Sequence, residues 1–196
     1  MHDRSDDARI TACAVAAGAG DRAALAEFVR ITQRDVHRFL THLASAAEAD
    51  DLAQETYLRA LGALPRFEAR SPARTWLLAI ARHVAVDAVR AAQRRPRTDG
   101  VDDWEALANA SVNRPGAVRS AADEAVALRA LVAALDTDRR EAFVLTQLLD
   151  LSYAEAAQVC GCPVGTIRSR VARAREDLVE AMSGTAPDRQ AEAGPS

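Results

Sequence analysis

Residues 151–171 have the sequence LSYAEAAQVCGCPVGTIRSRV, which is typical of two short helices joined by a tight turn. Ser152 and Glu155 have the spacing of a capping box, so a helix is expected to begin there. Gly161 suits the turn, and Pro163 suits the first turn of the next helix. The pattern therefore predicts a helix-turn-helix, a unit that places its second helix in the major groove of DNA.

Angular positions on the second helix support this interpretation. At about 100° per residue, one face is apolar and is expected to pack inward; it consists of Ile167, Val171, Ala174 and Leu178. The opposite face is small and flanked by arginines, and is expected to contact bases and phosphates; it consists of Arg168, Ser169, Arg170, Ala172 and Arg173. A solvated basic face on an ordinary helix pair is the alternative, but the turn and the capping box favour DNA binding.

The composition is that of a folded protein with segregated charge. The chain has 196 residues, of which 49% are hydrophobic and 27% charged, and its net charge is −3. This total argues at first against a DNA partner, but the distribution of charge matters more than its sum. Residues 66–97 carry eight arginines against two acids, whereas residues 48–55 carry four acids and no base.

Several function classes are excluded at this point. The cysteines, Cys13, Cys160 and Cys162, are too few for a disulfide framework and lack the companions of a zinc site, which needs about four ligands. No metal or cofactor is therefore expected. Because no apolar run approaches the roughly 20 residues of a membrane span, and the N-terminus lacks the apolar part of a secretory signal, we expect a cytoplasmic protein without membrane insertion.

The whole chain is rich in helix formers and shows no alternating strand pattern, so the expected fold class is all-α. Residues 21–95 are expected to form one small helical domain and residues 121–182 a second one. Residues 96–120, rich in Gly, Pro, Asp and Asn, predict a flexible linker between them. Residues 1–20 are an N-terminal segment of no assigned structure, and residues 183–196 are expected to be a disordered tail.

Local signals mark where individual helices begin and end. Residues 45–48 have the pattern of a capping box, and Pro65 is expected to close the helix that follows. Ser71 and Pro72 are expected to start the last helix of the first domain, as N-cap and first helical residue. In the second domain, Asp138-x-x-Glu141 is a candidate cap.

Three motifs resemble those of one protein family. Residues 161–176 resemble region 4.2 of sigma factors of the extracytoplasmic-function (ECF) group. Upstream, residues 50–60 resemble region 2.2, and residues 67–90, which include TWLLAIAR, resemble regions 2.3 and 2.4. A helix-turn-helix alone is common, but three motifs in the family's order, across residues 20–182, are highly specific.

The resemblance implies a transcription initiation factor that is not an enzyme and that needs no cofactor. Its implied partners are promoter DNA, the β′ clamp helices and the β flap of core RNA polymerase, and an anti-sigma factor of the kind that often holds family members inactive. The region 2.2 helix is implied to dock on the clamp helices. Residues at spacings of three and four share one face of that helix: Asp51, Gln54, Glu55 and Arg59.

In the family, region 2 captures the melted non-template strand of the −10 element and flips a base into a pocket formed by the loop before its last helix. On this sequence that loop is residues 67–71. Arginines that bind the strand and aromatic surfaces that stack on bases offset the cost of unpairing. The implied −10 contacts are Phe67, Arg70, Ser71, Arg74, His83, Asp87, Arg90 and Arg94, and the implied −35 contacts are the arginine-flanked face of residues 168–173.

Two other readings compete with this one. A stand-alone regulator with a LuxR-like helix-turn-helix explains residues 121–182 but leaves residues 48–95 without a role. A small nuclease or recombinase needs acidic metal ligands, and the only acidic cluster to consider is Asp50, Asp51 and Glu55. Their spacing does not bring all three carboxylates to one helix face, so the sigma factor remains the favoured reading.

Overall fold

Helix-forming residues fill the chain, and helices are what the structure contains. The computed structural model describes residues 4–45, 47–94 and 121–184, and no strand occurs in these ranges. The helices are α1 (Arg4–Gly18), α2 (Arg22–Leu43), α3 (Ala49–Ala63), α4 (Ala73–Arg94), α5 (Ala121–Ala134), α6 (Thr137–Phe143), α7 (Tyr153–Cys160) and α8 (Val164–Gly184). The expected all-α fold class is confirmed, and none of these helices is long and apolar enough to cross a membrane.

Two predicted segments fall largely outside the described residues. The linker assigned to residues 96–120 lies outside them entirely. Helix α8 extends to Gly184, so the first two residues of the predicted tail are helical. The rest of that tail, residues 185–196, is not part of the described chain.

The first domain is built on the amphipathic helix α2. Asp21 caps this helix by accepting the amide hydrogens of Ala23 at 2.8 Å and Ala24 at 3.0 Å. Side chains from one face of α2 pack against α4 and form the centre of the domain: Phe28, Val36, Phe39 and Leu40 with Leu77, Leu78 and Ala81. The capping box expected at residues 45–48 does not cap α3, because the residue before this helix is Glu48 and no side chain caps it. Ser45 Oγ instead donates to the Glu48 carboxylate at 2.8 Å and accepts the Glu48 amide hydrogen at 3.3 Å, both in the turn before the helix.

Residues 4–18, which the sequence analysis left unassigned, form the first helix of this domain. Helix α1 buries Ile10 and Ala14 and packs against α2, α4 and the 3-10 turn Leu64–Arg66. The Ala-rich composition of the segment and the glycines that follow it are ordinary helix and stop signals. These local signals alone predict a helix over residues 4–18, although the family motifs do not include this segment.

The second domain contains the expected helix-turn-helix. The capping box at the start of α7 is confirmed, because Ser152 Oγ accepts the Glu155 amide while the Glu155 carboxylate accepts the Ser152 amide. Gly161 ends α7 with a φ of 64°, in the left-handed region where glycine is favoured. Helix α7 and helix α8 then pack against each other.

The cap predicted for α6 is wrong. The residue that caps this helix is Asp136, whose carboxylate accepts the Asp138 amide at 3.1 Å. Glu141, the other half of the predicted box, is 1% exposed. It is paired instead with an arginine of the first domain, Arg82, and a local pattern cannot reveal such a distant partner.

The two domains pack against each other. Helix α7 lies on α4, and α5 and α6 lie beside α2. A groove of about 950 Å³ remains between α2, α3 and α5, with His37, His42, Tyr57 and Arg129 among its lining residues. The helix-turn-helix therefore rests on the helix that carries most of the implied −10 contacts.

Candidate nucleic-acid and polymerase interfaces

The recognition helix α8 presents the face that its sequence predicts. Its inward residues are almost completely buried: Ile167, Val171, Ala174 and Leu178. On the opposite side, Arg168, Ser169, Ala172 and Arg173 are exposed. The small side chains of Ser169 and Ala172 sit between the two arginines, so a groove floor could approach the helix closely while both guanidinium groups reach past it.

Two other arginines of α8 are held by the second domain. Arg170 forms an ion pair with Asp138 and lies 3.8 Å from Cys162 Sγ, so its half-buried side chain ties α8 to α6 and to the turn. Arg175 donates to Gln147 Oε1 at 2.7 Å. The sequence placed Arg170 among the −35 contacts, and in this structure its guanidinium is directed to the protein.

Cys160 is buried in the fold, whereas Cys13 and Cys162 are half-buried. Burial raises the pKa of the Cys160 thiol to about 12, with a further contribution from the Glu141 carboxylate. Among the described residues, no three or more His, Cys, Asp or Glu side chains are grouped so that they could hold a metal ion. Cys160 and Cys162 therefore serve as core and turn residues of the helix-turn-helix.

Helix α3 carries the implied polymerase-binding residues on its solvent side. Asp51 and Gln54 are exposed, and Arg59 donates to Glu55 at 2.7 Å and to Asp87 of α4 at 3.0 Å. Leu58 and Leu61 accompany them and are 58% and 40% exposed. Their exposure adds an apolar component to the charged residues of this face, which we call the α3 face.

The loop of residues 67–71 is held at both ends. The Phe67 ring packs against Trp76 with centroids 4.8 Å apart, so both aromatics are half-buried at the base of the loop. Arg70 is exposed and paired with Glu68, and Ser71 is half-buried. Ala69, at the tip, has a φ of 51°, a left-handed conformation that costs a non-glycine residue roughly 1–2 kcal/mol.

The implied −10 contacts on α4 divide into exposed and engaged residues. His83, Asp87 and Arg90 are exposed. Arg74 is 4% exposed and is fully engaged, donating to Asp35 at 2.7 Å and to the Leu149 carbonyl of the second domain at 2.6 Å. Arg94 is the last residue of α4, and its side chain lies outside the described part of the chain.

A second arginine of α4 also binds the second domain. Arg82 donates to the Glu141 carboxylate at 2.8 Å, and Glu141 is almost completely buried. Burial raises the pKa of Glu141, and the Arg82 guanidinium lowers it again only in part. Arg74 and Arg82 are thus two basic side chains of the first domain that form hydrogen bonds with the second domain.

These features define a class: a two-domain helical protein with a helix-turn-helix whose second helix exposes an arginine-flanked face, and a separate domain with a mixed charged and apolar face and a strained loop. Comparison with known proteins identifies the family. Sigma-70 region 2 matches residues 28–95, and Sigma-70, region 4 matches residues 125–178.

A curated relative and two solved structures are similar to this chain over most of its length. The chain is 54% identical to ECF RNA polymerase sigma factor SigC of Mycobacterium tuberculosis over 175 residues, which cover 89% of this chain and 92% of the relative. It shares the fold of CnrH in complex with the cytosolic domain of CnrY, at 24% identity, a TM-score of 0.69, and coverage of 91% and 99% of the two chains. It also resembles RpoE of Bartonella quintana in complex with the anti-sigma factor NepR, at 27% identity, a TM-score of 0.63, and coverage of 84% and 98%.

The chain belongs to the ECF group of the sigma-70 family. It is a sigma factor, which directs RNA polymerase to promoters and allows transcription to start. The stand-alone LuxR-like regulator is not favoured, because the region 2 match gives residues 28–95 the role that this reading left open.

Proposed function

We propose that this sigma factor divides its task among three surfaces. The α3 face binds core polymerase, the loop of residues 67–71 with α4 holds the melted −10 strand, and the exposed face of α8 reads the −35 duplex. One observation supports the proposal most: a single chain has both an exposed, arginine-flanked face on α8 and a separate, strained loop at residues 67–71. This loop lies beside the basic helix α4. Intact and melted DNA require such different surfaces.

Polymerase binding by the α3 face is supported by its mixed chemistry. Exposed leucines supply apolar area for a partner helix, and the charged residues around them supply orientation. The ion pairs from Arg59 to Glu55 and Asp87 fix the face against α4 before any partner arrives. Asp87 thereby joins this cluster as well as the implied −10 set.

Promoter opening requires the two domains to separate, because the second domain occupies Arg74 and Arg82. In the bound state the connection through residues 96–120 makes the second DNA contact intramolecular, so two weak contacts combine into one avid contact. We infer that binding to core polymerase supplies the energy for separation. The closed arrangement then limits DNA binding by the free sigma factor.

An anti-sigma partner and a cytoplasmic site of action complete the proposal. RpoE of Bartonella quintana was solved with the anti-sigma factor NepR, and we propose that this chain is regulated by a protein of the same kind. Its place of action is the cytoplasm, where RNA polymerase works.

Transcription in vitro with purified core polymerase and a random promoter library tests the proposal. We expect transcripts only when both sigma factor and core are present, from templates that share two short motifs about two helical turns apart. A footprint by the chain alone, with no transcripts when core is added, would support a stand-alone regulator instead.

A further inference from the structure

Helix α1, which lies ahead of the region 2 match, contacts the turn and the helix start that flank the loop of residues 67–71. It packs against the 3-10 turn Leu64–Arg66 on one side of the loop and against α4 on the other. Buried Ile10 and Ala14 fix its position on the domain. Two of its other residues, Thr11 and Gly18, reach the backbone on either side of the loop.

Thr11 caps a helix that is 62 residues away in sequence. Its hydroxyl donates to the Asp7 carbonyl at 2.8 Å and accepts the amide hydrogen of Ala73 at 3.0 Å. Ala73 is the first residue of α4 and is completely buried. The first amides of a helix have no acceptor within the helix. Ser71 was expected to provide such an acceptor at the start of α4, and the Thr11 hydroxyl provides it for the Ala73 amide.

Gly18 lets α1 approach the turn before the loop. A Cβ at this position would lie 2.5 Å from the Leu64 carbonyl oxygen and 3.1 Å from its carbon. Both atoms belong to backbone, so a side chain could be accommodated only if the turn moved. The absence of a side chain at Gly18 therefore sets how close α1 and the turn can be.

Between these two contacts the loop adopts a conformation that needs support. Ala69 is in the left-handed region, and such strain persists only where the surrounding structure enforces it. The Phe67–Trp76 contact holds the first residue of the loop. Gly18 contacts the turn that precedes the loop, and Thr11 binds the first amide of α4, which follows it.

We infer that Thr11 and Gly18 are positioning residues for recognition of the −10 strand. They set the shape of the 67–71 loop and so the fit of the captured base, without contacting DNA. This inference rests on the proposed role of the loop in −10 binding.

The test compares Thr11→Val, Thr11→Ser and Gly18→Ala in the full chain bound to core polymerase. Thr41→Val is the matched control, because among the described residues the Thr41 hydroxyl bonds only to the His37 carbonyl of its own helix. Strand opening at −10 is followed by permanganate reactivity, and base preference by selection from a library randomised at the −10 element. Affinity for core and for −35 duplex is measured in parallel.

We expect Thr11→Val to lower the opening of a given promoter by about tenfold, the loss typical of a buried amide left without an acceptor. Gly18→Ala is expected to lower opening as well, because its Cβ displaces the turn before the loop. Base preference at the −10 element is expected to shift, while affinities for core and −35 DNA stay unchanged. Thr11→Ser, which keeps the hydroxyl, is expected to restore opening, and Thr41→Val to behave like the unaltered chain.

Two results would overturn the inference. Unaltered opening and base preference in both Thr11→Val and Gly18→Ala would show that the loop does not depend on α1. Equal losses in core binding, −35 binding and opening would show a merely structural role. Failure of the unaltered holoenzyme to open any promoter would instead overturn the proposed function on which the inference rests.

Discussion

The arginines of this chain differ in what their guanidinium groups contact. On α8, Arg168 and Arg173 are exposed beside small residues, whereas Arg170 and Arg175 bind Asp138 and Gln147. On α4, Arg74 is buried against Asp35. Net charge and sequence spacing do not distinguish these arginines. The hydrogen-bond and ion-pair partners in the structure show which guanidinium groups are exposed to solvent and which stabilise the fold.

The first prediction concerns Arg173. We expect Arg173→Ala to weaken −35 binding by about 1–3 kcal/mol, the size of a good base contact, and to leave affinity for core polymerase unchanged. Arg175→Ala is the matched control, since it removes the same charge from a residue that binds Gln147. Binding to −35 duplex by fluorescence anisotropy checks this, and a loss of core binding instead would contradict the role given to Arg173.

Single helices and their ends form the next scale. The capping box of α7, the glycine after it and the inward face of α8 could be predicted from sequence, because each depends on residues within one or two turns. The cap of Ala73 by Thr11 and the pairing of Glu141 with Arg82 could not. Each of these depends on a contact more than 50 residues apart, which only tertiary packing creates.

The second prediction concerns the start of α7. Ser152→Ala removes the hydroxyl that accepts the Glu155 amide, and loss of such a cap costs about 1 kcal/mol. We expect thermal unfolding of the second domain, followed by circular dichroism, to shift to lower temperature. Ser169→Ala is the control, because Ser169 is exposed and, within the described part of the chain, its hydroxyl bonds only to the Thr166 carbonyl. Equal shifts in both variants would count against the capping role.

The third prediction concerns the α3 face. We expect Asp51→Ala combined with Glu55→Ala to reduce capture of core polymerase by the tagged sigma factor, because both carboxylates lie on the proposed docking surface. Binding to isolated −35 duplex is expected to stay normal. Glu176→Ala combined with Glu180→Ala removes the same charge from α8 and is expected to leave core capture unchanged, so equal effects of the two pairs would refute the assignment.

At the scale of the whole molecule, the packing of the two domains was left open by the sequence. The sorting of acids to residues 48–55 and of arginines to residues 168–175 allowed such packing without indicating where it forms. In the structure the domains meet mainly through α4 against α7, with the pair Arg82–Glu141, and through α5 and α6 beside α2. Patterns of charge along the chain do not report which helix faces meet.

The fourth prediction is a pH dependence of this packing. The pKa of His42 is lowered from 6.5 by burial and by the nearby charges of Arg38, Arg129 and Arg140, and the last two belong to the second domain. When the domains separate, these charges move away and the pKa rises again, so the open form binds a proton more readily. The contribution of neutral His42 to packing is therefore present above pH 6.5 and lost as the pH falls through the lowered pKa.

We expect the closed fraction, measured by energy transfer between dyes on the two domains, to fall more steeply on acidification in the unaltered chain than in His42→Gln. The comparison isolates His42, because the raised pKa of Glu141 acts in the opposite direction in both chains. Identical pH curves for the two chains would contradict this role of His42.

The central claim is that core polymerase separates two domains that are packed together in the free chain. The most direct measurement is the distance between fluorophores attached at Val89 of α4 and Val179 of α8, both exposed, in the free chain and in the holoenzyme. The account predicts a short distance in the free chain and a large increase on binding core, toward the roughly 70 Å of two turns of DNA. A distance that stays short in holoenzyme that starts transcripts would contradict it.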